Sequence, residues 1–338
     1  MTPSTPLRIA VVQFAPKLGQ VQANLARARE LSGKLQPRSL DLVCFPEMFM
    51  SGESLSAHHW SESNVLERGY NFENAQAIYP HLELPKTGPT SQFCSELAER
   101  LKCYVFAGYP ERLVGDEAES SEEPEVDAKT ETPSETRLVG ANSAVLYSPE
   151  GEWIGHYRKT NLFETDKTWA KAGTGFATFH LPSPLHTVCF GICNDLNPAT
   201  SDPWTVEDGP YEIADYALSQ NSDILILINA WLDSRNEEEE DNDWHTLNYW
   251  AARLRPLWVK DTSESSDKSS EEEDGEAEDG VDKKEIIVGV CNRTGEENGK
   301  AFAGSSAIYS MRKGSGRPKL LDMMGRKEEG LRVWNLLI

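Results

Sequence analysis

Short apolar runs rich in β-branched residues recur along the chain, and amphipathic stretches separate them. The runs Arg8–Gln13, Leu40–Phe45, Tyr104–Tyr109, Ser143–Tyr147, Thr187–Ile192, Ile224–Asn229, Glu285–Cys291 and Ala303–Tyr309 are too short for helices and predict buried strands. Between them, Gln22–Leu35 repeats Leu25, Ala28 and Leu31 on one face and carries Arg27, Arg29, Glu30 and Lys34 elsewhere. Thr90–Leu101 follows a proline and aligns Phe93, Leu97 and Leu101. Tyr211–Gln220 and Trp244–Leu254 follow the same helical pattern. Strands alternating with helices predict an α/β domain, and no internal repeat interrupts the pattern.

With 338 residues, 38% of them hydrophobic, the chain can bury a large core. The formal charge of −22 is unevenly placed. Nine acidic residues against two basic ones lie between Asp116 and Arg137, and twelve against three between Asp261 and Glu285, so a net −16 of the −22 sits there. Segments 115–137 and 261–285 are Ser/Glu/Asp-rich and too poor in large apolar groups to offset the entropy of ordering. The expectation is one domain over residues 1–338 with two acidic, flexible surface inserts. The overall sign argues against nucleic acid and against anionic membranes. The longest apolar run, Ile224 to Ile228, is far short of the ~20 residues a membrane span needs. No secretory leader pattern opens the chain. Six scattered cysteines without CxxC or His-rich spacing predict reduced thiols, no metal and a cytoplasmic protein.

Three positions carry candidate chemistry. Cys193 ends an apolar strand and is followed by the turn-forming Asn194-Asp195-Leu196-Asn197-Pro198, the geometry of a nucleophile elbow. A helix N-terminus there would favour the thiolate. The competing reading is a small buried hydrophobe. Glu47 follows the strand at Leu42–Phe45 behind a proline, where partial desolvation would suit proton transfer; the alternative is an ordinary loop glutamate. Lys159 follows an aromatic-basic segment and could hold a developing oxyanion, or merely be solvated beside Arg158.

Taken together these segments resemble a known family. Phe-Pro-Glu-Met at 45–48, Tyr-Arg-Lys-Thr-Asn-Leu-Phe at 157–163 and Gly-Ile-Cys-Asn-Asp-Leu at 191–196 are similar, in that order, to the three signatures of the nitrilase, or carbon–nitrogen hydrolase, superfamily. The resemblance implies a four-layer αββα sandwich and a cofactor-free Glu–Lys–Cys triad. Cys193 would be the nucleophile, Glu47 the general base and then acid, and Lys159 the oxyanion donor together with the backbone N–H of Asn194. A second acid near the lysine is also implied. Glu164 and Asp166 both stand nearby, and Asp166 lies seven residues before Gly173.

A narrower similarity covers Gly-Ile-Cys-Asn-Asp-Leu-Asn-Pro at 191–198, Asn-Ala-Trp-Leu at 229–232, Thr-Leu-Asn-Tyr-Trp at 246–250 and Cys-Asn-Arg-Thr-Gly-Glu-Glu-Asn-Gly at 291–299. These resemble the fungal protein N-terminal amidases, which convert N-terminal asparagine or glutamine to the acid and so feed the Arg/N-degron route. Such an enzyme must recognise the α-amine, a cation best held by a carboxylate in a dry pocket. Asp195 is the first candidate and Asp233 the second, with Trp231 as a pocket wall. A peptide substrate also needs an open cleft, which favours a monomer. Small-molecule amidases, ω-amidases and carbamoylases would share the triad, and a catalytically silent scaffold with acidic recruitment loops is the reading from another class.

Overall fold

Along the first strand the side chains part to two faces: Leu7, Ile9 and Val11 enter one apolar core, while Ala10 and Val12 enter another. The same division recurs across the chain and builds four layers. The computed structural model describes residues 6–51, 72, 74–117, 138–199, 204–235, 240–260, 284–297 and 299–337. Its strands are β1 (Pro6–Gln13), β2 (Leu42–Phe45), β3 (Tyr104–Arg112), β4 (Gly140–Tyr147), β5 (Trp153–Arg158), β6 (Ala177–His180), β7 (Thr187–Ile192), β8 (Ile224–Asn229), β9 (Glu285–Asn292), β10 (Glu296–Glu297), β11 (Lys300–Ala301), β12 (Ala307–Arg312), β13 (Lys319–Met323) and β14 (Gly330–Leu337). The helices are α1 (Val21–Ser32), α2 (Ala75–Ile78), α3 (Pro89–Leu101), α4 (Glu212–Ser219) and α5 (Trp244–Arg253).

Two six-stranded sheets form, in the orders β14-β1-β2-β3-β4-β5 and β13-β12-β9-β8-β7-β6. In each, three central strands run parallel and the flanking strands antiparallel: β1, β2 and β3 in the first, β7, β8 and β9 in the second. The inner faces meet in a core where Phe106 and Phe190 stack with ring centroids 3.9 Å apart. The outer face of the first sheet is covered by α1 and α3, through Leu25, Ala28, Phe93 and Leu97. The outer face of the second is covered by α4 and α5, through Ile213, Ala214, Leu247 and Trp250. The expected αββα sandwich is the observed architecture.

Some boundaries differ from the sequence reading. The strand expected at Ala303 starts at Ala307. Residues before it are held by side chains instead of a ladder: Gln13 accepts from the Ser306 N–H and Asn292 donates to the Gly304 carbonyl. Of the six strands that the apolar pattern does not reveal, β5, β6, β13 and β14 are the edges of the two six-stranded sheets, and β10 and β11 form a separate two-stranded ribbon. Most of the two acidic inserts, at 118–137 and 261–283, lies outside the described residues. The described start of the first is docked, since Glu117 pairs with Arg158 at 3.0 Å and Lys171 at 2.6 Å. Among the described residues no helix is long and apolar enough to cross a membrane.

Candidate active site

The three candidate side chains issue from strand ends of both sheets and meet at one rim of the sandwich. Pro46 stops β2, and the chain turns through Glu47 and Met48, whose φ is +52°. Gly108 of β3 makes room for this turn, because a Cβ there would lie 2.7 Å from the Glu47 Cα. Lys159 follows β5 and is anchored by its N–H to the Asn142 carbonyl at 2.8 Å. Cys193 follows β7 with φ +43°, a left-handed conformation costly for any side chain but fitted to an elbow. Its N–H donates to Asn229 Oδ1 at the end of β8, 3.0 Å away.

The polar groups interlock. Glu47 Oε1 accepts from Lys159 Nζ at 2.9 Å and Asn142 Nδ2 at 2.7 Å, and Oε2 accepts from the Ala230 N–H at 2.8 Å. Lys159 Nζ also donates to Asp166 Oδ2 at 2.7 Å. Asp166 is held in turn by the Phe163 N–H and by Asn142. Glu47, Lys159 and Asp166 are each 1% exposed. Burial alone would drive the Lys159 pKa down, but Asp166 and then Glu47 outweigh it, so the ammonium is held well above its usual range. The Cys193 thiol faces the Glu47 carboxylate in the same cavity and is electrostatically coupled to it. Burial, and then the negative charge of Glu47, push this thiol up, with Lys159 only partly opposing. The expectation of a resting thiolate at a helix N-terminus is therefore corrected. Only a single 3-10 turn, Cys193–Leu196, follows the strand, and the sulfur sits as a thiol beside Glu47. Cys193 is also the one cysteine of six that is not fully buried.

A cavity of about 210 Å³ opens over these groups, lined by Glu47, Lys159, Cys193, Asn194, Trp231 and their neighbours. Asn194 and Trp231 thus stand where the sequence placed them. Three other candidates do not. Glu164 is 79% exposed and pairs with Lys167 at 2.6 Å, leaving Asp166 as the acid beside Lys159. Asp195 is 1% exposed and lies beneath the cavity. Its Oδ1 accepts from the N–H groups of Thr160 and Asn161, and its Oδ2 from the Tyr157 hydroxyl and the Ile192 N–H. With four donors on two oxygens it ties the lysine-bearing loop to the cysteine elbow, and no lone pair is left to aim at an amine. Asp233 lies at a different cavity and is turned toward Arg326 and the Arg235 N–H.

Sequence reasoning missed the asparagines that hold the site together. Asn142 bridges Glu47 and Asp166, Asn229 fixes the elbow, and Asn161 donates to the carbonyls of Asn194, Asn197 and Pro198. Asn229 carried a faint signal, a polar residue ending an all-apolar strand. Asn142 carried none. Among the described residues no group of three or more His, Cys, Asp or Glu is placed to hold a metal ion.

The carbon–nitrogen hydrolase family model matches residues 8–209. The chain is 30% identical to the protein N-terminal amidase of Schizosaccharomyces pombe, over 98% of this chain and 99% of that one. In fold it is similar to an N-terminal amidase crystallised with an Asn-Glu-Ala peptide, with a TM-score of 0.72, 20% identity and 98% of both chains covered. A structure of an N-terminal amidase with a Gln-Gly peptide matches at a TM-score of 0.70 and 19% identity, over 98% of this chain and 97% of that one. With the matching family model spanning more than half its length, the chain belongs to the carbon–nitrogen hydrolase family.

Proposed function

We propose that this protein hydrolyses the side-chain carboxamide of N-terminal asparagine, and of glutamine, in proteins and peptides, releasing ammonia and feeding the Arg/N-degron route. The observation that carries the reading is the Cys193 thiol facing Glu47 beside a buried, doubly paired Lys159 in a cavity of side-chain dimensions. The fission-yeast relative's name points to the same substrate class.

Glu47 takes the thiol proton as sulfur attacks the amide carbon. Two of the three ammonium hydrogens of Lys159 are committed to Glu47 and Asp166, and the third is available to the oxyanion. The N–H groups of Ile192 and Cys193 are spent on Asp195 and Asn229, so the N–H of Asn194 is the elbow's donor to the same oxygen. Such donors are typically worth ~3–4 kcal/mol each in the transition state. Collapse expels ammonia, protonated through Glu47, and leaves a thioester on Cys193. Water activated by Glu47 then releases the carboxylate.

Ammonia release from Asn-, Gln-, acetyl-Asn- and Gly-Asn-peptides, with free asparagine alongside, tests this. Turnover of the first two is expected, both being accepted because one methylene is worth only ~1–3 kcal/mol in a pocket. Equal turnover of acetyl-Asn-peptide or free asparagine would overturn the N-terminal reading in favour of a small-molecule amidase.

A further inference from the structure

Resting on the amidase reading, we infer that the substrate's chain beyond its first residue leaves the catalytic cavity over Asn194 and Asn197 and lies in an adjoining groove of about 280 Å³, where Glu164 and Lys167 read the charge of the downstream side chains.

The groove adjoins the catalytic cavity, since Phe163, Asn194 and Asn197 line both. Its walls are the two segments that carry Lys159 and Cys193, so whatever lies there is registered against the reacting groups. Those walls are fixed. Asn161 Nδ2 is within 3.0 Å of the carbonyls of Asn194, Asn197 and Pro198, which draws the two segments together. The saddle between the cavities is also set. Tyr249 donates to Asn197 Oδ1 at 2.7 Å, Asn197 Nδ2 donates to Asn194 Oδ1 at 2.8 Å, and Asn194 Nδ2 donates to the Leu162 carbonyl at 3.2 Å. Two oriented amides at the mouth suit the main chain of a first residue whose side chain points at Cys193. The cavity beside Asp233 is a poorer exit: Leu232, on the catalytic side, pairs with Phe302, which lines the other.

The groove combines apolar Leu162 and Pro198 with the Glu164–Lys167 pair. These two side chains are 79% and 55% exposed. An exposed pair of this kind holds its partners weakly, so each charge can turn to an opposite charge on a passing substrate. The occupant is thus an extended polypeptide, with carboxylate side chains meeting Lys167 and cationic ones meeting Glu164.

The test compares kcat/KM for Asn-Gly-Lys-Gly and Asn-Gly-Glu-Gly peptides at low ionic strength. Lys167→Glu is expected to raise the Lys/Glu ratio by about fivefold, and Glu164→Lys to lower it by about as much, both effects fading with added salt. The double swap should return the ratio to within about twofold of wild type, which separates charge reading from misfolding. The same charge change at Lys34, exposed in the turn after α1, should leave the ratio in place. Ratios that stay flat in both single variants while wild type turns over the peptides overturn the groove assignment alone. A wild type that deamidates no Asn-headed peptide overturns the amidase reading, and the groove assignment with it.

Discussion

Replacing Asp195 by asparagine separates two roles that a carboxylate next to a nucleophile can have. The amide keeps one oxygen, and its better orientation leaves that oxygen facing the N–H groups of Thr160 and Asn161. The NH2 then faces the Tyr157 hydroxyl, which can rotate to accept, and the Ile192 N–H, which cannot. An unsatisfied buried N–H costs about 1–3 kcal/mol, and the remaining bonds lose their charge assistance. Against this, burial has already pushed the Asp195 carboxyl up to about 6, so removing the charge returns part of the cost. A net destabilisation of about 2–4 kcal/mol is expected. Ile192 adjoins Cys193, and a shift of the order of 1 Å at the elbow costs about 100-fold in turnover. Urea unfolding should therefore show a lowered midpoint, and steady-state kinetics on an Asn-headed peptide a lower kcat with KM moved less. An unchanged midpoint, with the whole loss in KM and confined to free-amine substrates, would refute the positioning role and restore Asp195 as the amine's partner.

Lys159→Met strips the cation from between Glu47 and Asp166, leaving two buried carboxylates on shared partners; about 3–5 kcal/mol of stability and at least 100-fold in kcat should be lost, by calorimetry and ammonia release. Asp166→Asn should lower kcat strongly, whereas Glu164→Ala should move the urea midpoint by less than ~0.5 kcal/mol equivalent, since Glu164 makes only an exposed pair. Glu83 caps α3 through the Thr90 N–H and hydroxyl, yet burial pushes its carboxyl from 4.5 to about 7. The fold favours its protonated form, so its contribution to stability is lost as pH rises from about 4.5 through about 7. Glu83→Gln should flatten the melting temperature over that window and gain about 1–3 kcal/mol near pH 8; a melting temperature that climbs across the window in wild type would contradict this.

What the sequence revealed of the fold follows the depth of each strand. All eight runs found by apolar pattern are interior strands, flanked on both sides and buried on both faces, where only apolar residues fit. The four unseen strands of the large sheets have one free edge and a half-wet face. Ile154 of β5 is 42% exposed and Leu337 of β14 is 79% exposed, while β13 mixes Lys319 and Asp322 with its leucines. Glu47, Lys159 and Cys193 were legible because each directly follows a strand within a distinctive local motif. Asp195 misled because adjacency in sequence to Cys193 is not access: the 3-10 turn points it inward, under the residue it follows by two. The asparagines stayed hidden because their partners are distant in sequence: carboxylates on other loops for Asn142, and backbone atoms for Asn161 and Asn229.

The division of the reacting groups between the sheets has a mechanical corollary. Glu47 and Lys159 ride on one leaf of the sandwich, Cys193 and Ala230 on the other, and the Glu47–Ala230 bond crosses the seam. Any slippage of leaf against leaf is felt as a change in the distance from Glu47 to the Cys193 sulfur. The Phe106–Phe190 contact, deep between them, acts as a spacer for chemistry at the rim, and trimming it should throttle turnover even in molecules that stay folded.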